Sequence, residues 1–170
     1  VRGLTQDDAH IFCRPDQINA EVEGVLKLVF FMMKSFGFEQ YKIDLSLRDA
    51  KDRTKYIGSD EVWDQAEQAL ETTLQHMGLP YKRAAGEANF YGPKIDIMLV
   101  DAIGREWQLP TVQLDFQLPE RFDLTYMGED GKHNRTVMLH RAIRGSAERC
   151  FDTLVEQDGG ASAVWVGPVQ

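Results

Sequence analysis

Residues 94–116 read KIDIMLVDAIGREWQLPTVQLDF. Two runs, 94–102 and 105–117, alternate side chains with the period of two that belongs to a β-strand, and only a short turn separates them. Strands joined this closely pair antiparallel, because a parallel pair needs a crossover of a dozen or more residues. Pro110 interrupts the second run. It has no N–H for a ladder and belongs at a bulge or an edge. Gln108 and Gln113 are out of phase, and a one-residue bulge at Pro110 would bring them to one face.

Working outward, further strands are expected at 1–14, 41–48 (YKIDLSLR), 81–87, 123–128 and 135–142. The segment GEDGKHN (128–134) reads as a hairpin turn with a solvated His133. Helical spacing marks three other stretches. From Pro15 to about Phe36, Ile18, Val22, Val25, Leu26, Val29 and Met33 recur at three and four, with Gly37 as the stop. A second helix runs from Asp60 to His76 and closes at Gly78, and a third is expected from about Ile143 to Gln157. The charged segment 49–60 reads as a solvated loop. The fold class is therefore α+β: an antiparallel sheet with helices packed on one side. The regular strand–helix alternation of a doubly wound parallel sheet is missing.

The 170 residues are 43% hydrophobic, enough for one domain with a real core, and carry a net charge of −8. That charge argues against a surface that coats nucleic acid, which needs clustered Lys and Arg. The longest apolar run, VLKLVFFMM (25–33), is broken by Lys27 and too short to span a bilayer. No signal peptide or membrane segment is expected. Two cysteines, Cys13 and Cys150, do not make a disulfide framework and point to a reducing cytosol. A start at Val1 and an apolar end, VWVGPVQ, read as a piece of a longer chain.

Polar residues at strand positions mark the candidate site. In LTQDDAHIFC (4–13), strand periodicity puts Gln6, Asp8 and His10 on one face and Asp7, Ala9, Ile11 and Cys13 on the other. An amide, a carboxylate and an imidazole in one row could floor a site for a polar ligand or a metal; a solvated edge strand is the alternative. In FYGPKIDIML (90–99), Tyr91 precedes a Gly-Pro turn, with Lys94 and Asp96 sharing a face after it. In VMLHRAIRGSAER (137–149), His140 lies near a strand end. Gly145 then precedes Arg149, so that a phosphate could approach backbone and guanidinium together.

Five blocks, VRGLTQDDAHIFC, IGSDEVWDQAE, NFYGPKIDI, WQLPTVQLDFQLPERF and VMLHRAIRGSAERC, resemble in order and spacing the catalytic core of the threonyl-tRNA synthetases, a family of class II aminoacyl-tRNA synthetases. The resemblance spans essentially the whole chain. It implies the class II catalytic fold, here the C-terminal portion of that domain without its upstream blocks, editing domain or anticodon-binding domain. It implies ATP-dependent activation of threonine and transfer to tRNA(Thr), in the cytoplasm, with the parent protein a homodimer. By the same resemblance His10 and His140 are zinc ligands, the third being a cysteine upstream that neither Cys13 nor Cys150 matches. Gln6, Asp8 and Tyr91 match residues that hold threonine, and Gln113 lines the same cavity. Gln108 and Thr111 match the segment beside the ATP ribose. Arg149 matches the motif-3 arginine on the ATP phosphates, with Mg²⁺ accompanying ATP and Lys94 as an electrostatic helper.

Some positions depart from the family pattern. Leu4 stands where an aromatic usually stacks on adenine, and Arg144, Ala147 and Cys150 replace the usual apolar neighbours of motif 3. The first strand of motif 2 and its arginine are absent, so the piece alone is expected to be inactive. Two other readings stand beside the enzyme: a synthetase-like amino-acid-binding or regulatory protein, and a hydrolytic metal site at Asp8, His10 and His140. The second lacks any HExxH-type spacing.

Overall fold

A computed structural model describes residues 2–159 and residue 161. The apolar end VWVGPVQ lies outside the described residues. The chain begins with β1 (Ala9–Cys13), a 3-10 turn at Pro15–Gln17 and α1 (Ile18–Ser35). β2 (Tyr41–Leu47), α2 (Asp60–His76) and β3 (Lys82–Ala85) follow. Then come β4 (Lys94–Val100), β5 (Glu106–Asp115), the short α3 (Gln117–Arg121), β6 (Thr125–Met127), β7 (His133–Arg135), β8 (Val137–Ala142) and α4 (Ala147–Asp158).

Six strands form one sheet in the order β1-β8-β5-β4-β2-β3, and β6 and β7 make a separate hairpin. All pairs are antiparallel except β2–β3, which is parallel. The exception follows from connectivity: α2 lies between these two strands and supplies the crossover a parallel pair requires. The fold is thus α+β with a mostly antiparallel sheet, as the strand runs imply.

Register sorts the sheet into two faces. Leu45 pairs with Ile95 and Ile95 with Val112, while Leu114 pairs with Leu139 and Leu139 with Ile11. Apart from the half-buried Ile11 these residues are at most 2% exposed, and they form one core with the apolar stripes of α1 and α2. Each such side chain is worth about 1.5–3 kcal/mol relative to exposure. On α1, Ile18, Val22, Val25, Leu26, Val29 and Met33 face inward. On α2, Ser59 caps the helix by accepting from the Val62 N–H, and Trp63, Ala66, Leu70 and Leu74 are buried. No described helix is long and apolar enough to cross a membrane.

Several boundaries differ from the sequence expectation, each for a local reason. The opening strand begins only at Ala9; Gln6 makes an isolated bridge to Ser146. The strand expected to reach 117 stops at Asp115, whose Oδ1 accepts from the N–H groups of Gln117 and Leu118 and starts α3. The segment 135–142 is divided between β7 and β8, and His133 lies in β7, paired with Met127, rather than in the turn. The last helix starts at Ala147, not near Ile143. Gly145 has φ +65 and Ser146 caps by accepting from the Arg149 N–H, so helical geometry cannot begin earlier.

Candidate active site

The face of the sheet opposite α1 and α2 is polar. Ser46 pairs with Lys94, Lys94 with Gln113, Gln113 with His140 and His140 with His10. Register partners in a ladder point to the same face. One row of five polar side chains therefore crosses β2, β4, β5, β8 and β1.

His10 and His140 meet edge to face, their ring centroids 4.8 Å apart. Nε2 of His140 lies 2.9 Å from Oδ2 of Asp115, a fully buried carboxylate. A carboxylate on one ring nitrogen is the arrangement that orients a metal-ligating imidazole and leaves the other nitrogen as donor. Two register-paired imidazoles, one so oriented, fit a zinc ion. The described residues contain no group of three His, Cys, Asp or Glu side chains placed to hold a metal. Tyr91 stands beside them with its ring 5.5 Å from that of His140. Burial raises the pKa of its phenol, a hydrogen bond with Asn89 opposes this, and the nearby carboxylates of Asp115 and Asp8 add to the rise. The hydroxyl is thus kept as a donor.

Asp8 and Gln6 are exposed, and neither side chain makes a hydrogen bond to another described residue. Asp7, of opposite parity, accepts from the N–H groups of Ile143 and Arg144 and ties this segment to the loop before α4. Tyr91 is placed by close backbone approach. A Cβ on Gly92 would sit 2.0 Å from the Leu114 carbonyl oxygen, so only glycine lets this turn lie on β5. Gln113 fastens the turn: its Nε2 donates to the Gly92 carbonyl at 3.0 Å and its Oε1 accepts from Asn89 at 3.3 Å. Its amide is therefore committed within the protein.

Asp96 is the hub of the neighbouring row. It is buried and accepts from Ser46 Oγ (2.7 Å), Lys94 Nζ (2.5 Å), Gln108 Nε2 (2.6 Å) and Thr111 Oγ1 (2.8 Å). A buried carboxylate is stable only when its lone pairs are used in this way. The contact with Gln108 depends on the bulge expected at Pro110. Asp96 pairs with Thr111 but Met98 pairs with Gln108, so β5 spends three residues where β4 spends two.

Arg149, on the first turn of α4, reaches a separate cleft of about 670 Å³ that Leu4, Trp107 and Glu148 also line. Its Nη1 donates to the Gln108 carbonyl at 3.2 Å. Gly145 permits this approach, since a Cβ there would lie 2.4 Å from the Leu109 carbonyl oxygen. Ala147 donates its N–H to the Thr5 carbonyl at 2.8 Å, and Cys150 is buried, so these substitutions fit around Arg149 without disturbing its cap. The structure thus gathers Tyr91, Gln113, His140 and His10 into one group, and Lys94, Gln108 and Thr111 around Asp96. Asp115, Ser46 and Trp107 are functional-site neighbours that sequence reasoning did not select. For Asp115 the signal was present: it lies two residues after Gln113, in phase with it.

The tRNA synthetase class II core domain (G, H, P, S and T) matches residues 1–158. The chain belongs to the class II aminoacyl-tRNA synthetase core family. This class II core is 53% identical over 170 residues to the threonine–tRNA ligase of Acidobacterium capsulatum, covering 100% of this chain and 25% of the relative. It is 55% identical over 170 residues to that of Acidithiobacillus ferrooxidans, covering 100% and 26%. The chain spans about a quarter of the length of these curated relatives. The class II core also superposes on the RNA-binding domain of a threonyl-tRNA synthetase from Cryptosporidium parvum with a TM-score of 0.92 and 44% identity. That match covers 100% of this chain and 42% of the other.

Proposed function

We propose that this chain is the C-terminal portion of the catalytic domain of a threonine–tRNA ligase, acting within a longer protein. One observation carries the reading: the row Lys94–Gln113–His140–His10 crosses the polar face of a class II core whose relatives are threonine–tRNA ligases. The two cysteines are free, which supports a reducing, cytosolic setting, while the homodimeric parent rests on the family resemblance alone.

In the first step a carboxylate oxygen of threonine attacks the α-phosphorus of ATP, the new P–O bond forms and pyrophosphate leaves. Such transfers need positioning and charge neutralisation rather than covalent help. Arg149 and Lys94 supply cations, alongside the Mg²⁺ that ATP brings. Gln108 donates its amide N–H to Asp96, so its Oε1 is left as an acceptor suited to a ribose hydroxyl. Thr111 stands beside it. Asp8 pairs with the substrate ammonium, Gln6 and the protonated Tyr91 add polar contacts, and Gln113 holds the Tyr91 turn. In the second step a ribose hydroxyl at the 3′ end of tRNA(Thr) attacks the activated carbonyl and AMP leaves.

His10 and His140 would hold a zinc ion with a third ligand from outside this chain; bound there, zinc supplies Lewis-acid positions that the threonine amine and β-hydroxyl can fill together. A site that requires a hydroxyl rejects valine by on the order of 10⁴, which an apolar pocket cannot do. Serine would pass.

The test is ATP–pyrophosphate exchange by the full-length protein that carries this chain. Exchange should depend on threonine and be absent with valine. Threonine binding without exchange would instead identify a synthetase-like binding protein.

A further inference from the structure

We infer that Trp107 is a positioning residue for Arg149: its ring face fixes the guanidinium at the mouth of the cleft through which ATP enters. The inference rests on the ATP role proposed for Arg149.

The centre of the Arg149 guanidinium lies 5.4 Å from the centroid of the Trp107 ring, within the range of a cation–π contact. The adjacent Gln108 carbonyl takes its Nη1. Both restraints come from one short segment of β5. Among the described residues no carboxylate pairs with Arg149. Its neighbour Glu148 is occupied elsewhere, accepting from the Thr5 N–H and the Ser146 hydroxyl. A structural arginine would ordinarily be tied by a carboxylate; this one is held by a ring face and a carbonyl. Neither neutralises its charge, so the full charge is kept for an incoming phosphate or π-system.

The ring itself is anchored from behind. Trp107 Nε1 donates to Oδ2 of Asp101 at 2.8 Å. Asp101 is buried, pairs with Arg105, and accepts from the N–H groups of Ile103 and Arg105. Arg105 lies 5.3 Å from the same ring and reaches Glu156 on α4 at 2.7 Å. Two cations on one ring repel unless one is neutralised. Asp101 and Glu156 neutralise Arg105, which leaves Arg149 the uncompensated one. The turn between β4 and β5 is thereby clamped to the same helix that carries Arg149. Trp107 is in register with the core residue Leu99; only α4 packing alongside gives it this second part.

The full-length protein should be assayed by pyrophosphate exchange with ATP and threonine varied in turn. W107L should raise the KM for ATP about three- to tenfold, the size expected of one cation–π contact, and leave the KM for threonine unchanged. W107F keeps a ring face without the N–H and should recover most of the loss. Adding W107L to R149A should cost nothing further, whereas a purely structural role would add to it. If W107L does not accumulate as folded protein, Trp107→Met, a flexible filler of the cavity, replaces it. An R149A loss beside a silent W107L, or equal rises in both KM values, would overturn the inference alone. An unchanged ATP KM in R149A would overturn the reading of Arg149 and the inference with it.

Discussion

His10 and His140 face each other across the β1–β8 pair as register partners, and the second of them leans on Asp115, a carboxylate with no exposure to solvent. On the zinc reading proposed above, removing either imidazole takes away one of the two ligands assigned to this chain. In the full-length protein, H10A or H140A should lose zinc, measured by elemental analysis of the purified protein. D115N tests the support behind them. It leaves an oxygen to cap α3 but can present an amide to His140 Nε2, so the ring loses its acceptor; zinc affinity should fall about 10- to 100-fold in a chelator competition. Zinc retained at full affinity in both imidazole variants would sink the shared site.

Two glycines set the distances that bring the site together. At Gly145 an alanine would combine φ +65 with a Cβ 2.4 Å from a backbone carbonyl. At Gly92 the added carbon would meet the Leu114 carbonyl oxygen at 2.0 Å. Neither neighbour is a flexible side chain, so the loops must move. G145A and G92A should each lower stability by about 1–3 kcal/mol, read as a fall in the denaturation midpoint. Their functional effects should differ. G145A shifts the start of α4 and should raise the KM for ATP, while G92A lifts Tyr91 from His140 and should raise that for threonine. Identical effects of the two variants on both substrates would show that the loops do not place separate halves of the site.

How much of this was legible in sequence can be traced residue by residue. A period of two predicts a common face for Gln6, Asp8 and His10, but β1 begins only at Ala9, so strand pairing fixes His10 alone of the three, while Asp7 turns to the backbone of Ile143 and Arg144. The bulge that brings Gln108 to the face of Gln113 was legible because Pro110 cannot donate to a ladder; there Gln108 joins Thr111, in phase with Gln113, on Asp96. Asp115 was in phase with Gln113, yet its part depends on the strand becoming a helix at 117 and on β8 lying alongside, neither of which local periodicity encodes. The parallel β2–β3 pair is likewise a matter of connectivity. Trp107 has the parity of a core residue, and only the packing of α4 shows what touches its ring.

Asp101 gives a pH dependence with a definite sign. Burial alone would raise its pKa, but donation from Trp107, from Arg105 and from the N–H groups of Arg105 and Ile103 outweighs it and holds the carboxyl well below the usual range. An unfolded aspartate titrates near about 3.9. The contribution of Asp101 to stability is therefore complete above that value and is lost as the pH falls below it toward the folded pKa. Urea midpoints measured from pH 6 down to pH 3 should fall less steeply for D101N than for the parent, with D101N already less stable at pH 6. Parallel acid limbs for the two proteins would show that this carboxylate is not held by those donors.

The last prediction separates the two substrates by charge. Arg149 sits on the first turn of α4, where N–H groups and the helix dipole already favour an anion. In the role proposed for it, its guanidinium adds a charge-assisted contact worth about 1.5–3 kcal/mol to a phosphate. Asp8 lies close enough to Tyr91 to oppose ionisation of its phenol. A carboxylate there attracts the ammonium of an amino acid and repels a phosphate. In pyrophosphate exchange by the full-length protein, R149A should raise the KM for ATP about tenfold or more and spare that for threonine, the size following from loss of such a contact. D8N keeps the shape of Asp8 but not its charge and should do the reverse. Lys94 is held by Asp96 at 2.5 Å and must turn from it to reach a phosphate, so K94A should lower kcat more than it raises either KM. A rise in the ATP KM alone for D8N would mean that the carboxylate and the guanidinium serve the opposite substrates.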